Sequence, residues 1–313
     1  MENNTPQNEL DKDLGIGSKI ADKSRERFLN RDGTFNVERT GISFFDSLNL
    51  YHHLLNLSWL QFHLLIIVSY FAANIFFAFA YLLCGDGALV GATGITFSEK
   101  FLEAFFFSVQ TIATIGYGGI SPHGLAANIL VTFEALLGLL GFALATGLLF
   151  ARFSRPTANI IFSHSGVIAP YKNGTAFMFR IANARKNQLI EVKATLTMSR
   201  LETREGKTTR KFYRLSLERE IVVFFPLHWV IVHPIDEKSP LFGITKEQFD
   251  NSDPEFFILL TGTDETFSQT VHARSSYRHN EVVWNAKFVD MYNNLESGKI
   301  SVDMRKLHDI EKA

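Results

Sequence analysis

The sequence has a single cysteine among its 313 residues. Cys84 has no partner in the chain, which excludes an intrachain disulfide framework and a thiolate metal cluster. An excess of charge of either sign is missing as well. With 31 basic and 32 acidic residues the formal net charge is −1, which does not suit a protein held to nucleic acid by bulk electrostatics. Catalytic signatures are absent too: the ten histidines are scattered rather than spaced as H-x-x-x-H, and neither G-x-S-x-G nor a phosphate loop occurs. An enzyme and an organic cofactor are therefore not expected. The most informative shortage is local. From Ser47 to Gly85 there is no Asp, Glu, Lys or Arg, and from Ala104 to Ala151 Glu134 is the only such residue.

Those two gaps define what is present. A bilayer core of about 30 Å takes about 20 apolar residues in a helix, and the runs 59–83 and 124–153 are each long enough to span. The first forty residues are polar and mixed in charge, without a short apolar core and cleavage site, so the first span is expected to be an uncleaved anchor. Lys19, Lys23, Arg25, Arg27, Arg31 and Arg39 precede it and Arg152 and Arg155 follow the second span, whereas the intervening loop has only Lys100. Both termini are therefore expected in the cytoplasm. Residues 1–43 read as a polar, mobile cytoplasmic segment, and the apolar residues from Phe44 to Leu57 recur at helical spacing, predicting an interfacial helix over 44–57. The glycine-rich stretch from Cys84 to Gly94 lacks G-x-G-x-x-G spacing and reads as a flexible external loop.

Between the spans, Ser98 can cap a helix that starts near Glu99 and ends near Ala113, with Phe101, Phe105 and Val109 repeating every four residues. It is too short to cross, and TIGYGGISP follows it. Irregular backbone at membrane depth is tolerated only where protein shields it or it lines a water-filled path, so residues 58–156 read as a two-span pore domain with a re-entrant helix and loop over 99–118. In four copies around an axis, the carbonyls of Thr114, Ile115, Gly116 and Tyr117, with the Thr114 hydroxyl, can replace the hydration shell of K⁺. Gly116 and Gly118 permit the backbone conformations this needs. After Pro156 the pattern changes to period two. Ile190, Val192, Ala194, Leu196 and Met198 alternate with polar neighbours, and further strands are expected at 160–169, 175–182, 221–232, 255–262, 266–274 and 281–288. Residues 157–313 read as a cytoplasmic β-sandwich.

From about Phe44 onward, through FFFSVQTIATIGYG, ARFSRPTANIIFS, IVHPIDEKSPL and SSYRHNEVVW, the chain resembles the inward-rectifier potassium channel family, specifically its prokaryotic branch. The resemblance implies a homotetramer in the inner membrane of a prokaryote and an immunoglobulin-like cytoplasmic assembly that prolongs the pore. It also implies modulation by anionic lipid or phosphoinositide and block by Mg²⁺ or polyamines. It turns the α-helical face of Ala135, Leu139, Phe142, Thr146 and Phe150 toward the pore, where Phe150 and Phe142 would form a hydrophobic gate; ordinary helix packing is the alternative. Gly138 and Gly141 either let that helix bend or let helices approach closely. Arg152 and Arg155 match the family's lipid-binding basic positions, or serve only as topology anchors. Glu205 matches an acidic position of the cytoplasmic pore, or is a solvated loop charge alongside Glu202. Gly262 lies in LLTGTDET, which resembles the loop narrowing that pore, or is a plain hairpin. Glu134, inside a span, is expected to face the short helix in a structural role rather than coordinate ions.

The chain departs from eukaryotic members in several places. Gln110 and Ile120 stand where those members carry a pairing Glu and Arg, only one cysteine is present near the pore loop, and Phe142 replaces an acidic residue that strengthens rectification. Strong block is not expected. A weakly selective cation channel and a nonconducting membrane-anchored sensor remain alternatives.

Overall fold

The computed structural model describes residues 25–38, 40–41, 50–154, 158–185, 188–225, 227–294 and 300–313. The chain divides into two units, residues 40–155 and residues 1–39 with 156–313. Arg155 and residues 44–49 of the expected interfacial helix lie outside the described residues.

The first unit is helical. Helix α1 covers Leu50–Asn56. Ser58 then caps α2, Trp59–Leu83, its side chain accepting from Gln61 N while Gln61 reaches back to the cap, which satisfies two otherwise orphaned donors. The short helix α3 spans Phe97–Ile112 and is capped by Thr96 with Glu99 as the reciprocal partner. Its start is therefore two residues earlier than Ser98 capping predicts, because T-F-S-E forms a complete capping box and Ser98 does not. Helix α4, Gly124–Phe153, follows, and both α2 and α4 are long and apolar enough to cross a membrane.

The loop before α3 differs from its reading as flexible. Leu89–Val90 (β1) pairs antiparallel with Ser121–Pro122 (β2), and His123 N donates to Ala88 O at 2.8 Å. The Glu103 carboxylate accepts from the backbone N–H of Thr93 and Gly94 at 3.0 and 2.9 Å. Gly91 has φ +90, and a Cβ there would lie 2.1 Å from Gly119 O, so this loop is fastened to the chain just after the TIGYG stretch.

The second unit is a β-sandwich. One sheet runs β11-β10-β6-β7, with β8 also paired to β6; the other runs β12-β4-β5-β3, with β9 on β5. The ranges are β3 Ile160–Phe162, β4 Gly166–Tyr171, β5 Gly174–Asn183, β6 Leu189–Arg204, β7 Lys207–Leu215, β8 Ile221–Phe225, β9 His228–Ile235, β10 Glu255–Asp264, β11 Gln269–Arg278 and β12 Val282–Trp284. Phe177, Phe179 and Ile181 of β5 meet Leu196, Met198, Phe256, Ile258 and Tyr277 of the facing sheet in one buried core, and Phe177 stacks on Phe256 with centroids 4.1 Å apart. Lys172, with φ 51, leads the tight β4–β5 turn that the Lys172-Asn173-Gly174 signal predicts.

Strict alternation along β6 breaks at one point. Glu191 has φ 51, and the register against β10 shifts between Thr261 and Thr263. This β-bulge turns Leu189 as well as Val192 into the core, displacing the expected Ile190. Strand β7 and helix α5, Lys246–Asn251, are absent from the sequence-based expectation. Strand β7 carries Lys and Arg throughout, and its inward Arg210 is paired with Asp253 at 2.6 Å and lies over the Phe28 ring. For α5 the signal was available, since Thr245 and Gln248 form a capping box.

Residues 25–38 are docked onto the sandwich rather than mobile. Leu29 and Phe35 form a bridge across the Asp32-Gly33 turn. The Arg27 guanidinium donates to both Glu281 oxygens, at 3.1 and 2.5 Å, and to Ser276 O at 2.9 Å. Phe28 N and Leu29 N donate to the buried Glu255 carboxylate, and Phe28 packs on Phe257. Burial pushes the Glu255 carboxyl above its ordinary range, against the opposing pull of the Leu29 and Phe28 N–H groups. At Glu281 burial acts upward too, but the bonds from Arg27 and Arg278 N and the charges of Arg27 and Arg31 outweigh it and hold the carboxyl low. A carboxyl held low stabilises docking above its free pKa, and that contribution fades as pH falls through its docked value. Hydrogen bonds to a charged group are worth about 1.5–3 kcal/mol, so Glu281→Gln should speed tryptic cleavage at Arg25, Arg27 or Arg31 by about tenfold at neutral pH. An unchanged cleavage rate would show that docking does not depend on this pair.

Candidate functional site

The end of α3 holds the start of the TIGYG stretch by its backbone. Thr114 N donates to Thr111 O at 3.0 Å, Ile115 N to Gln110 O at 2.8 Å and Gly116 N to the same oxygen at 3.4 Å. Beyond this anchor φ alternates in sign: Thr114, Gly116 and Gly118 have φ of 55, 59 and 77, and Ile115 and Tyr117 are not among the positive-φ residues. A β-branched residue is rarely found in this region, and left-handed backbone costs an L-residue about 1–2 kcal/mol. Thr114 is thus a strained position of the kind that collects at functional sites. The segment makes little use of its own chain for cover, since Ile115 is 45% and Tyr117 80% exposed. The carbonyl end of α3 brings a partial negative charge to this place.

Helix α4 presents two faces. Ala135, Leu139, Phe142, Thr146 and Phe150 are all exposed in the single chain, Phe142 and Phe150 at 75% and 73%. The other face packs on α3. Glu134 is fully buried there, and a Cβ added at Gly138 would lie 2.9 Å from Ile112 O. Gly141 meets no such neighbour. Gly138 therefore provides a close approach, whatever bending it also allows. Overpacking of this kind costs about 1–3 kcal/mol, so Gly138→Ala should lower the thermal midpoint in detergent. An unaltered midpoint would mean that α3 and α4 can part without cost.

Arg152, expected at the lipid surface, is turned onto α1. Its NH1 donates to Leu54 O at 2.8 Å and its NH2 to Leu57 O at 2.7 Å, which satisfies carbonyls left open at a helix end. The guanidinium also lies 4.8 and 4.6 Å from the ring centres of Trp59 and Phe62. The α1 connection could have been suspected from Trp59 and Phe62, which suit a cation, but not from spacing alone.

In the sandwich unit, Glu205 and Gly206, with φ of 51 and 75, form the two-residue turn between β6 and β7. Glu205 is exposed, and Glu202 is held by Arg200 at 2.8 Å and by the Tyr213 hydroxyl. Gly262 lies within β10 opposite the Glu191 bulge, where a Cβ would be 3.0 Å from Val192 Cγ2. Its tight approach within the chain is to β6.

Comparison with known proteins gives this geometry a context. Residues 160–313 match the family described as the inward rectifier potassium channel C-terminal domain, and residues 64–155 match the one described as ion channel. The chain is 44% identical over 288 residues to the inward rectifier potassium channel Kirbac3.1 of Paramagnetospirillum magnetotacticum, covering 91% of this chain and 96% of that one. The chain belongs to the inward rectifier potassium channel family. The G protein-activated inward rectifier potassium channel 4 of Mus musculus is 30% identical over 319 residues, covering 92% of this chain and 73% of its own. A solved structure of Spo0M, a sporulation control protein from Bacillus subtilis, aligns with 41% of the chain and 50% of its own at 7% identity and a TM-score of 0.21, too remote to carry an argument. The family is one of ion channels rather than enzymes, and its two apolar helices and β-sandwich are those found here.

Proposed function

We propose that this chain is a potassium-selective channel of inward-rectifier type that conducts K⁺ passively as a homotetramer, in the inner membrane of a prokaryote with both termini in the cytoplasm. The observation that carries this reading is the alternation of φ at Thr114, Gly116 and Gly118 directly after α3. Backbone that alternates between left- and right-handed regions brings successive carbonyls to one side, and four copies then stack rings of oxygens that replace water around a cation. The exposure of Phe142 and Phe150 supports a second element, a hydrophobic constriction on the cytoplasmic side that closes by dewetting. Block by Mg²⁺ or polyamines is weak, because Phe142 supplies no charge. Glu205 and Gly262 serve the cytoplasmic continuation of the pore. Arg152 and Arg155 couple anionic lipid to the gate, Arg152 through its grip on α1.

Rubidium uptake into K⁺-loaded liposomes tests conduction, with uptake above that of empty vesicles expected. Uptake equal to empty vesicles would favour the nonconducting sensor. A basic residue near an anionic leaflet is worth about 1 kcal/mol, so replacing neutral lipid by a phosphoinositide-containing mixture should change the rate by about fivefold. An unchanged rate would reduce the two arginines to anchors.

A further inference from the structure

Four polar side chains meet where the helical unit is otherwise apolar. Asn74 and Tyr81 come from α2, Ser108 from α3 and Glu134 from α4, and Asn74, Ser108 and Glu134 have no exposed surface at all. Phe77, Ala78, Ala104 and Phe107 close around them. The Tyr81 hydroxyl donates to Glu134 Oε2. Ser108 Oγ is hydrogen-bonded to Glu134 Oε1 and lies 3.0 Å from Asn74 Oδ1. Asn74 Nδ2 donates to Tyr70 O at 2.8 Å, which fixes the amide so that Oδ1 can only accept. Among the described residues no Lys, Arg or His pairs with Glu134, and Tyr81 is the one other titratable group touching it.

Counting protons decides the state of this cluster. A hydroxyl has one proton to give, and Ser108 faces two oxygens. Were Glu134 a carboxylate, both would be acceptors, and one oxygen–oxygen contact would hold no proton. With Glu134 as the neutral acid, its O–H donates to Ser108 Oγ, Ser108 donates to Asn74 Oδ1, Asn74 donates to Tyr70 O, and Tyr81 donates to Glu134 Oε2. Every contact then has its proton, and no unpaired charge is buried.

We infer that Glu134 is a positioning residue for the TIGYG stretch, carried as the neutral acid, whose hydrogen-bond chain clamps α3 between the two long helices. This rests on reading that stretch as the filter. Ser108 lies one turn before Ile112, and the next residues hold the filter backbone through Gln110 O and Thr111 O. Gly138, one turn after Glu134, seats α4 against Ile112. A shift of α3 would therefore move the anchors of Thr114, Ile115 and Gly116.

Glutamine can reproduce the pattern, its amide donating to Ser108 and accepting from Tyr81, whereas leucine fills the space without either bond. Glu134→Gln should conduct at the parent rate with parent K⁺ over Na⁺ preference. Glu134→Leu should lose at least tenfold of that preference. The parent-minus-Glu134→Gln infrared difference spectrum should contain the carbonyl stretch of a protonated carboxyl. A carboxylate band in its place, a tenfold loss in Glu134→Gln, or parent behaviour in Glu134→Leu would each overturn the inference. The infrared band does not depend on conduction, so failure of this inference is separable from failure of the filter reading.

Discussion

Gly116→Ala is expected to reduce rubidium flux to the level of empty liposomes while leaving the assembled protein intact in detergent. Gly116 has φ +59, yet an added Cβ would meet no atom of its own chain within 4 Å, so the loss does not arise from a clash that prevents folding. It arises from conformation. A left-handed alanine costs about 1–2 kcal/mol, and in a tetramer the cost recurs four times, roughly 4–8 kcal/mol in all. In the proposed filter the backbone relieves it by rotating a peptide plane, which would withdraw a carbonyl from its ring at every subunit. Gly41, also at positive φ with open space around it but far from this stretch in sequence, provides the control: alanine there should leave flux unchanged. Near-parental flux in Gly116→Ala would remove this glycine from the conducting backbone.

Phe142→Asp should convert weak block into strong, voltage-dependent block by Mg²⁺ or spermine. Phe142 is exposed on α4, and in the proposed tetramer four copies of an aspartate there would face a shared cavity. At an effective dielectric constant of 20 and 5 Å, each carboxylate attracts a unit charge by about 3 kcal/mol. Desolvation and the carboxylates' mutual repulsion remove much of this, yet a remaining gain of about 3 kcal/mol would still lower the half-blocking concentration about a hundredfold. Unaltered block in a conducting Phe142→Asp variant would take Phe142 off the cavity face.

Much of this architecture can be read from the amino-acid sequence because a few strong physical constraints govern it. Two long apolar runs, the first without a charge and the second with only Glu134 before its basic end, point to spanning helices, and the period-two pattern of β6 and the Lys172-Asn173-Gly174 turn encode a sandwich locally. What is not legible in the sequence depends on contacts between distant residues. The docking of residues 25–38 rests on bonds from Arg27, Phe28 and Leu29 to Glu281 and Glu255, which lie more than 200 positions further along the chain, although Asp32-Gly33 between Leu29 and Phe35 is a hairpin signal. The bulge at Glu191 is one residue adopting a conformation that its side chain does not favour, so alternation alone places Ile190 inward. The fastening of the loop after Cys84 depends on Glu103 reaching back to Thr93 and Gly94, which glycine content disguises as freedom. Glu134 stands out in the sequence as an ionisable residue inside an apolar run, and Asn74 and Ser108 are legible there as polar residues, but that the three meet is a property of packing.

The reversal potential of the purified protein in a planar bilayer, with K⁺ on one side and Na⁺ on the other, tests the central claim most directly. A filter built on Thr114 to Gly118 predicts a potential displaced strongly toward the K⁺ equilibrium value, whereas a potential near zero would mean that Na⁺ passes as readily as K⁺ and would contradict it.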